Sequence, residues 1–440
     1  MIKRSHLAVF AFIVVAGCGG SGSSAPAPPA VGTDACSIDG QKQYVLDTMR
    51  DVYFWNDLLP ANVDIGAYAT PEELLADLIS VQPLDNFSYI DSLAADAQFF
   101  SAGQYEGFGF STTFAAPDDL RFVSVFASSP AAVAGFARGQ QVVMLNGRTI
   151  ADIEANEGVG ELFAMTSLEF TIRRPDTSEF VVTVDAGLVT IDPLPQWRII
   201  NLPGGTTVGY LELATFISTA NAPFISIFAA FASAGVTDVI LDLRYNGGGL
   251  VDTTELLGDF LGGIANDGQM FSRTLFNANN VVSNRSSLFQ APTNSVNLSR
   301  LIVIATDRTA SASELITNSM FPYLDVSVVG GTTFGKPVGQ LGLQFCDKIL
   351  RATSFETRNA NDEGGYFDGL PADCAVQDDL LTPVGAETDP NLEAALYLLE
   401  NGSCPMVTAT ASDSQKPTTN DRVERFRRSG PSWRRLAGAW

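Results

Sequence analysis

A serine, a lysine and a glutamine stand in a suggestive order in the second half of this 440-residue chain. Ser311 lies in Thr309-Ala310-Ser311-Ala312-Ser313-Glu314, Lys336 ends Phe334-Gly335-Lys336 25 residues later, and Gln340 lies four beyond the lysine. A serine hydroxyl is a weak nucleophile until a base takes its proton, and lysine serves as that base when burial disfavours its ammonium form. Upstream, Asp242-Leu243-Arg244-Tyr245-Asn246-Gly247-Gly248-Gly249 places three glycines beyond an apolar run. Residues without a Cβ let bare backbone N–H groups approach a developing oxyanion. Each piece alone has a plainer reading. Ser-Ala-Ser-Glu also makes a helix cap, a glycine run makes a turn, and Asp242 with Arg244 reads as a structural ion pair at a strand end.

Composition narrows the choice of base. The single histidine is His6, inside an N-terminal segment that reads as a targeting signal. A processed chain has no imidazole, which excludes a Ser-His-Asp triad, a Cys-His dyad and histidine-ligated zinc. The chemistry expected needs no metal and no cofactor. A net charge of −23 argues against nucleic acid as a partner.

Lys3 and Arg4 precede an apolar core, Leu7 to Val15, too short to span a bilayer. Val15-Ala16-Gly17-Cys18 resembles the bacterial lipoprotein lipobox, which makes Cys18 the expected lipidation site and the membrane a partner through that anchor. The Gly/Ser/Ala/Pro tract that follows reads as a flexible tether. Gly19 is not the aspartate that resembles an inner-membrane retention signal, so the expected address is the periplasmic side of the cell envelope, at the outer membrane. Cys36, Cys346, Cys374 and Cys404 remain, an even number suited to two disulfides in an exported chain. Of three pairings, the expectation is Cys36–Cys404, joining the ends of the folded body, and Cys346–Cys374 within one lobe.

Stepping along the chain, 1–18 is the signal, 19–35 the tether and 36–103 a helical region, with apolar helical spacing over Gln41–Leu59 and Pro71–Val81. Residues 104–187 give Gly107-Phe108-Gly109-Phe110, alternating strands, a helix over Ile150–Phe163 and a hairpin of Leu168–Arg173 with Phe180–Val184. This order resembles a PDZ domain of the bacterial protease type. The resemblance implies that Gly107, Phe108, Gly109 and Phe110 bind a peptide's C-terminal carboxylate while the peptide adds as an edge strand. Gln140, where that family usually has Asp, is taken as a surface difference. Residues 188–405 alternate buried strands with helices, an α/β core. Residues 406–440 are polar and arginine-rich, with the composition of a disordered tail.

The joint order of Asn-Gly-Gly-Gly, Thr-Ala-Ser-Ala-Ser-Glu and Phe-Gly-Lys with Gln four further on resembles the C-terminal processing peptidases, the tail-specific serine proteases of family S41. That resemblance spans about residues 104 to 400 and implies an α/β protease core with ClpP/crotonase-like αβ layers, a PDZ-like domain and a small N-terminal helical region. It implies Ser311 as nucleophile, Lys336 as base, Gln340 as the residue orienting the lysine, and an oxyanion hole from Ala312 with Gly249 or Gly248. The partners implied are polypeptides with accessible C-termini. Pro337, where the family often has a small residue, is read as stiffening the turn. The competing reading is a non-catalytic peptide- or ligand-binding protein on the same fold.

Overall fold

The computed structural model describes residues 33–406. Cys18 with its lipobox, most of the tether and the arginine-rich tail lie outside the described residues. At the centre is a six-stranded sheet in the order Trp197–Asn201, Thr207–Glu212, Asp238–Asp242, Arg300–Ala305, Asp325–Gly330, Cys374–Ala375. Its first pair is antiparallel and the rest are parallel. The apolar strands are buried on both faces, as parallel strands must be. Val239, Leu241, Leu301 and Val303 face the helices Asn221–Ser233, Val251–Gly262 and Ala312–Met320. Ile240, Ile302 and Ile304 face Pro390–Asn401 on the other side.

A second sheet carries the lysine's surroundings. Tyr89–Ser92, Lys348–Arg358, Met270–Phe276 and Arg285–Leu288 form it, with Val338–Phe345 added against Lys348–Arg358. The last two make a hairpin in which Phe345 pairs with Lys348 across a two-residue turn. Helices Ile38–Val52 and Pro71–Ser80 cover this sheet through Val45, Leu46, Leu74 and Leu78 packed with Phe345 and Leu350.

Residues 104–190 form a separate antiparallel unit around Phe108, Phe110, Phe122, Phe136 and Phe170. The helix expected over Ile150–Phe163 is two pieces, Ile150–Asn156 and Val159–Phe163. Gly158 at φ 84° breaks it, its N–H and that of Glu157 both turning back to the Ile153 carbonyl. Gln140 is not a surface residue either: it is buried, and its amide reaches the Gly135 carbonyl. The unit is fastened to the core by Arg138, which bonds Asp378 and the Thr382 carbonyl.

The disulfides correct the expected pairing. They are Cys36–Cys346, with Cα atoms 5.8 Å apart, and Cys374–Cys404, 5.5 Å apart. The reason is packing. Cys346 sits in the turn of the hairpin that the first helix covers, so it meets Cys36 just before that helix. Cys374 lies in the last core strand, whose neighbour is the helix ending at Asn401. Each bond closes within one layer instead of joining the ends of the body. Non-reducing digestion and mass spectrometry will recover Cys36–Cys346 and Cys374–Cys404 peptides; a Cys36–Cys404 peptide contradicts this packing. Replacing Cys36 by Ser will lower stability by about 2–4 kcal/mol, read by urea unfolding.

Candidate active site

Ser311 follows the core strand Arg300–Ala305 and immediately precedes helix Ala312–Met320. Its backbone is at φ 54°, ψ −113°, a sparsely populated region for a side-chain-bearing residue that persists only when surroundings enforce it. They do. Ala310 N–H and the Ser313 hydroxyl both donate to the Asn246 carbonyl, at 3.0 and 2.9 Å. The Thr309 hydroxyl donates to the Leu243 carbonyl at 2.7 Å. Ala312, the first helical residue, has no carbonyl one turn earlier to receive its N–H.

The glycine run lies directly against this turn. A Cβ on Gly248 would come within 2.8 Å of both Ala312 N and Ser311 Cβ, so only glycine fits. The N–H of Gly248, however, donates to Asn246 Oδ1 at 2.9 Å. Of the two glycines anticipated for an oxyanion hole, Gly248 therefore has its amide occupied and Gly249 is left. The loop rests on the ion pairs expected to be structural, but the network is larger than one pair. The fully buried Arg244 guanidinium bonds Asp242, Asp378 and Asp389.

Lys336 is 1% exposed, and its Nζ donates to Gln340 Oε1 at 2.8 Å. Burial holds this lysine well below its usual 10.5, against the pull of the Asp85 and Glu314 charges and with a push from Arg351. Burial therefore favours the neutral amine relative to an ordinary exposed lysine. Pro337 leaves the turn intact, its carbonyl accepting from Thr357 N–H at 3.0 Å.

Glu314 joins the two halves. Its Oε2 accepts from the N–H groups of Ser311 and Lys336, at 2.9 and 2.7 Å. Its Oε1 accepts from Gly335 N–H at 2.7 Å and the Thr333 hydroxyl at 2.5 Å. Burial pushes the carboxyl up to about 7, while those four donors pull it down. Sequence reasoning placed Glu314 only in the first helical turn. The capping pattern was the available signal, and nothing local showed that the same carboxylate reaches the lysine turn.

Two further residues were not anticipated. Asp85 and Phe87, from the helical N-terminal region, border the lysine: the Phe87 ring centre is 4.6 Å from Nζ. By contrast, Phe108 and Phe110 point into the core of their own unit, and the Phe108 and Gly109 carbonyls are bonded internally by Ala131, Phe126 and Ser129. Any ligand at Gly107–Phe110 must be held by main chain. Arg308, just before Ser311, links this unit to the site by donating to the Thr112 carbonyl.

Two models of one peptidase family match this chain. A family model described as peptidase family S41 matches residues 207–376, and one described as the peptidase S41 N-terminal domain matches residues 40–89. A carboxyl-terminal-processing protease of Picosynechococcus is 26% identical over 289 residues, covering 64% of this chain and 67% of that protein. A C-terminal processing peptidase from the chloroplast of Tetradesmus obliquus is 26% identical, covering 71% and 67%. The crystal structure of a putative S41 protease from Bacteroides fragilis superposes with a TM-score of 0.64 at 25% identity, covering 82% of this chain and 97% of that one.

If Glu314 is the tie between the two turns, Glu314→Ala will cost at least about 3 kcal/mol in urea unfolding, since it strands several buried donors. A loss below about 1 kcal/mol would assign it only the value of a helix cap.

Proposed function

The chain belongs to peptidase family S41 and is a serine-type peptidase by that membership, and we propose that it cleaves polypeptides by a Ser311–Lys336 dyad. The observation that carries this reading is the buried Lys336, whose amine is oriented by Gln340 and whose backbone N–H is joined through Glu314 to the turn that strains Ser311. Neutral Lys336 takes the Ser311 Oγ proton as Oγ bonds the scissile carbonyl carbon. The oxyanion formed is held by the N–H groups of Ala312 and Gly249. The C–N bond then breaks, Lys336 returns its proton to the leaving amine, and the acyl ester remains on Ser311. Water, deprotonated by Lys336, attacks the ester; the bond from Ser311 Oγ to the acyl carbon breaks, Lys336 returns the proton to Oγ, and the new C-terminus is released.

Substrates are unstructured or C-terminally recognised chains in the cell envelope. The 104–187 unit acts as a PDZ-like domain whose Gly107–Phe110 main chain receives the terminal carboxylate. The processing proteases among the relatives support that choice. The lipobox cysteine and two disulfides support an exported, lipid-anchored protein.

Two measurements test the reading. With a disordered protein substrate, Ser311→Ala abolishes cleavage, and amidating the substrate's C-terminus slows it; unchanged cleavage by Ser311→Ala overturns the nucleophile. Because burial depresses Lys336, its base form is lost as pH falls through a value below the ordinary lysine range. The rate constant kcat/KM therefore declines toward acid with a midpoint below the ordinary lysine value of 10.5. A profile that rises up to the ordinary lysine range instead means that Lys336 is not the base.

A further inference from the structure

The wall of the lysine pocket comes from far away in the chain. Gln340 presents Oε1 to Lys336, and which end of an amide faces a partner is decided by what the other end meets. Here Nε2 donates to the Phe87 carbonyl at 2.6 Å and to the Arg351 carbonyl at 3.4 Å. Only a donor satisfies two carbonyls, so the amide has one workable orientation. The Phe87 ring then covers the amine at 4.6 Å and packs edge-on against Phe334, ring centres 5.9 Å apart.

Building on the dyad reading, we propose that the 85–88 loop of the helical N-terminal region is a positioning element of the catalytic site, locking Gln340 in the orientation that holds Lys336 and closing the lysine's pocket with Phe87. The loop is itself held by one buried carboxylate. Asp85 Oδ1 accepts from Phe87 N–H and Ser88 N–H, both at 3.0 Å, and from the Thr353 hydroxyl at 3.1 Å. Its Oδ2 accepts from the Ser88 hydroxyl at 2.6 Å, and that hydroxyl accepts from Thr353 N–H at 2.9 Å. The Phe87 carbonyl is thus fixed to strand Lys348–Arg358, the strand paired with Gln340's own.

Three charged groups face Lys336: Asp85 from this loop, Glu314 from the helix after Ser311, and Arg351 from the paired strand. Asp85 accordingly does two separable things. Its oxygens shape the loop, and its charge favours the lysine's proton. Asparagine at this position keeps one oxygen acceptor and removes the charge, so the lysine must release its proton at lower pH.

The chain has five lysines, which makes the amine directly observable by NMR of protein carrying 13C-labelled lysine, with Lys336→Met assigning its signal. In Asp85→Asn the Lys336 titration midpoint falls by about one unit or more relative to wild type. In Ser88→Ala, which loosens the loop without touching any charge, kcat falls about tenfold or more while KM stays, as expected for a displaced base. A midpoint unmoved by Asp85→Asn, or a Ser88→Ala kcat within about twofold of wild type, removes the loop from the site. The titration needs no turnover, so it separates this proposal from the parent reading. If Ser311→Ala still cleaves, the dyad falls, whatever the lysine midpoint shows.

Discussion

The site depends on a single buried carboxylate satisfying donors from two turns, those of Ser311 and Lys336, that are 25 residues apart. Glu314 takes the N–H of Ser311 on one side and those of Gly335 and Lys336 on the other, with the Thr333 hydroxyl between them. Remove it and the serine turn has lost what opposes its strained φ, while the lysine turn has lost its attachment to the helix. A buried carboxylate without donors is costly, and buried N–H groups without an acceptor are costly too. Each side therefore enforces the other, which is how an unfavourable backbone at Ser311 persists.

The same low-dielectric surroundings act on Lys336. Phe87, Phe334 and Val338 pack around the lysine turn and keep water out, which disfavours the ammonium. Asp85 and Glu314 act the other way, and burial outweighs them. Both carboxylates are fully engaged by hydrogen bonds, so neither needs the lysine as a counter-ion. The outcome is an amine whose neutral form is favoured, tied through Glu314 and its own backbone N–H to the rigid turn of Ser311. Electrostatic preorganisation of this kind costs folding stability, offset by the large apolar core beneath it.

Much of the core was legible in the sequence because parallel strands buried on both faces read as continuous apolar runs, as in Val236–Leu243. Lys336 stood out because Gly335 marks its turn, and Ser311 because it lies between an apolar strand and the start of a helix. What escaped had no local signature. Glu314 looks like any acidic residue in a first helical turn, and its second set of partners depends on tertiary docking. Asp85 and Phe87 lie some 250 residues before the lysine they border. The disulfide pairing was missed for a related reason: Cys346 is placed by the hairpin after Gln340, a pair of strands that sequence periodicity did not delimit. The break at Gly158 was visible as a glycine but was overridden by helical spacing on both sides.

The most direct test of the dyad is intact-protein mass spectrometry after treatment with a fluorophosphonate, which bonds only to an activated serine. The account predicts one adduct, mapped to Ser311, in wild type and its loss in Lys336→Met, although Lys336 itself carries no label. An adduct on another residue, or full labelling of Ser311 in Lys336→Met, would contradict it.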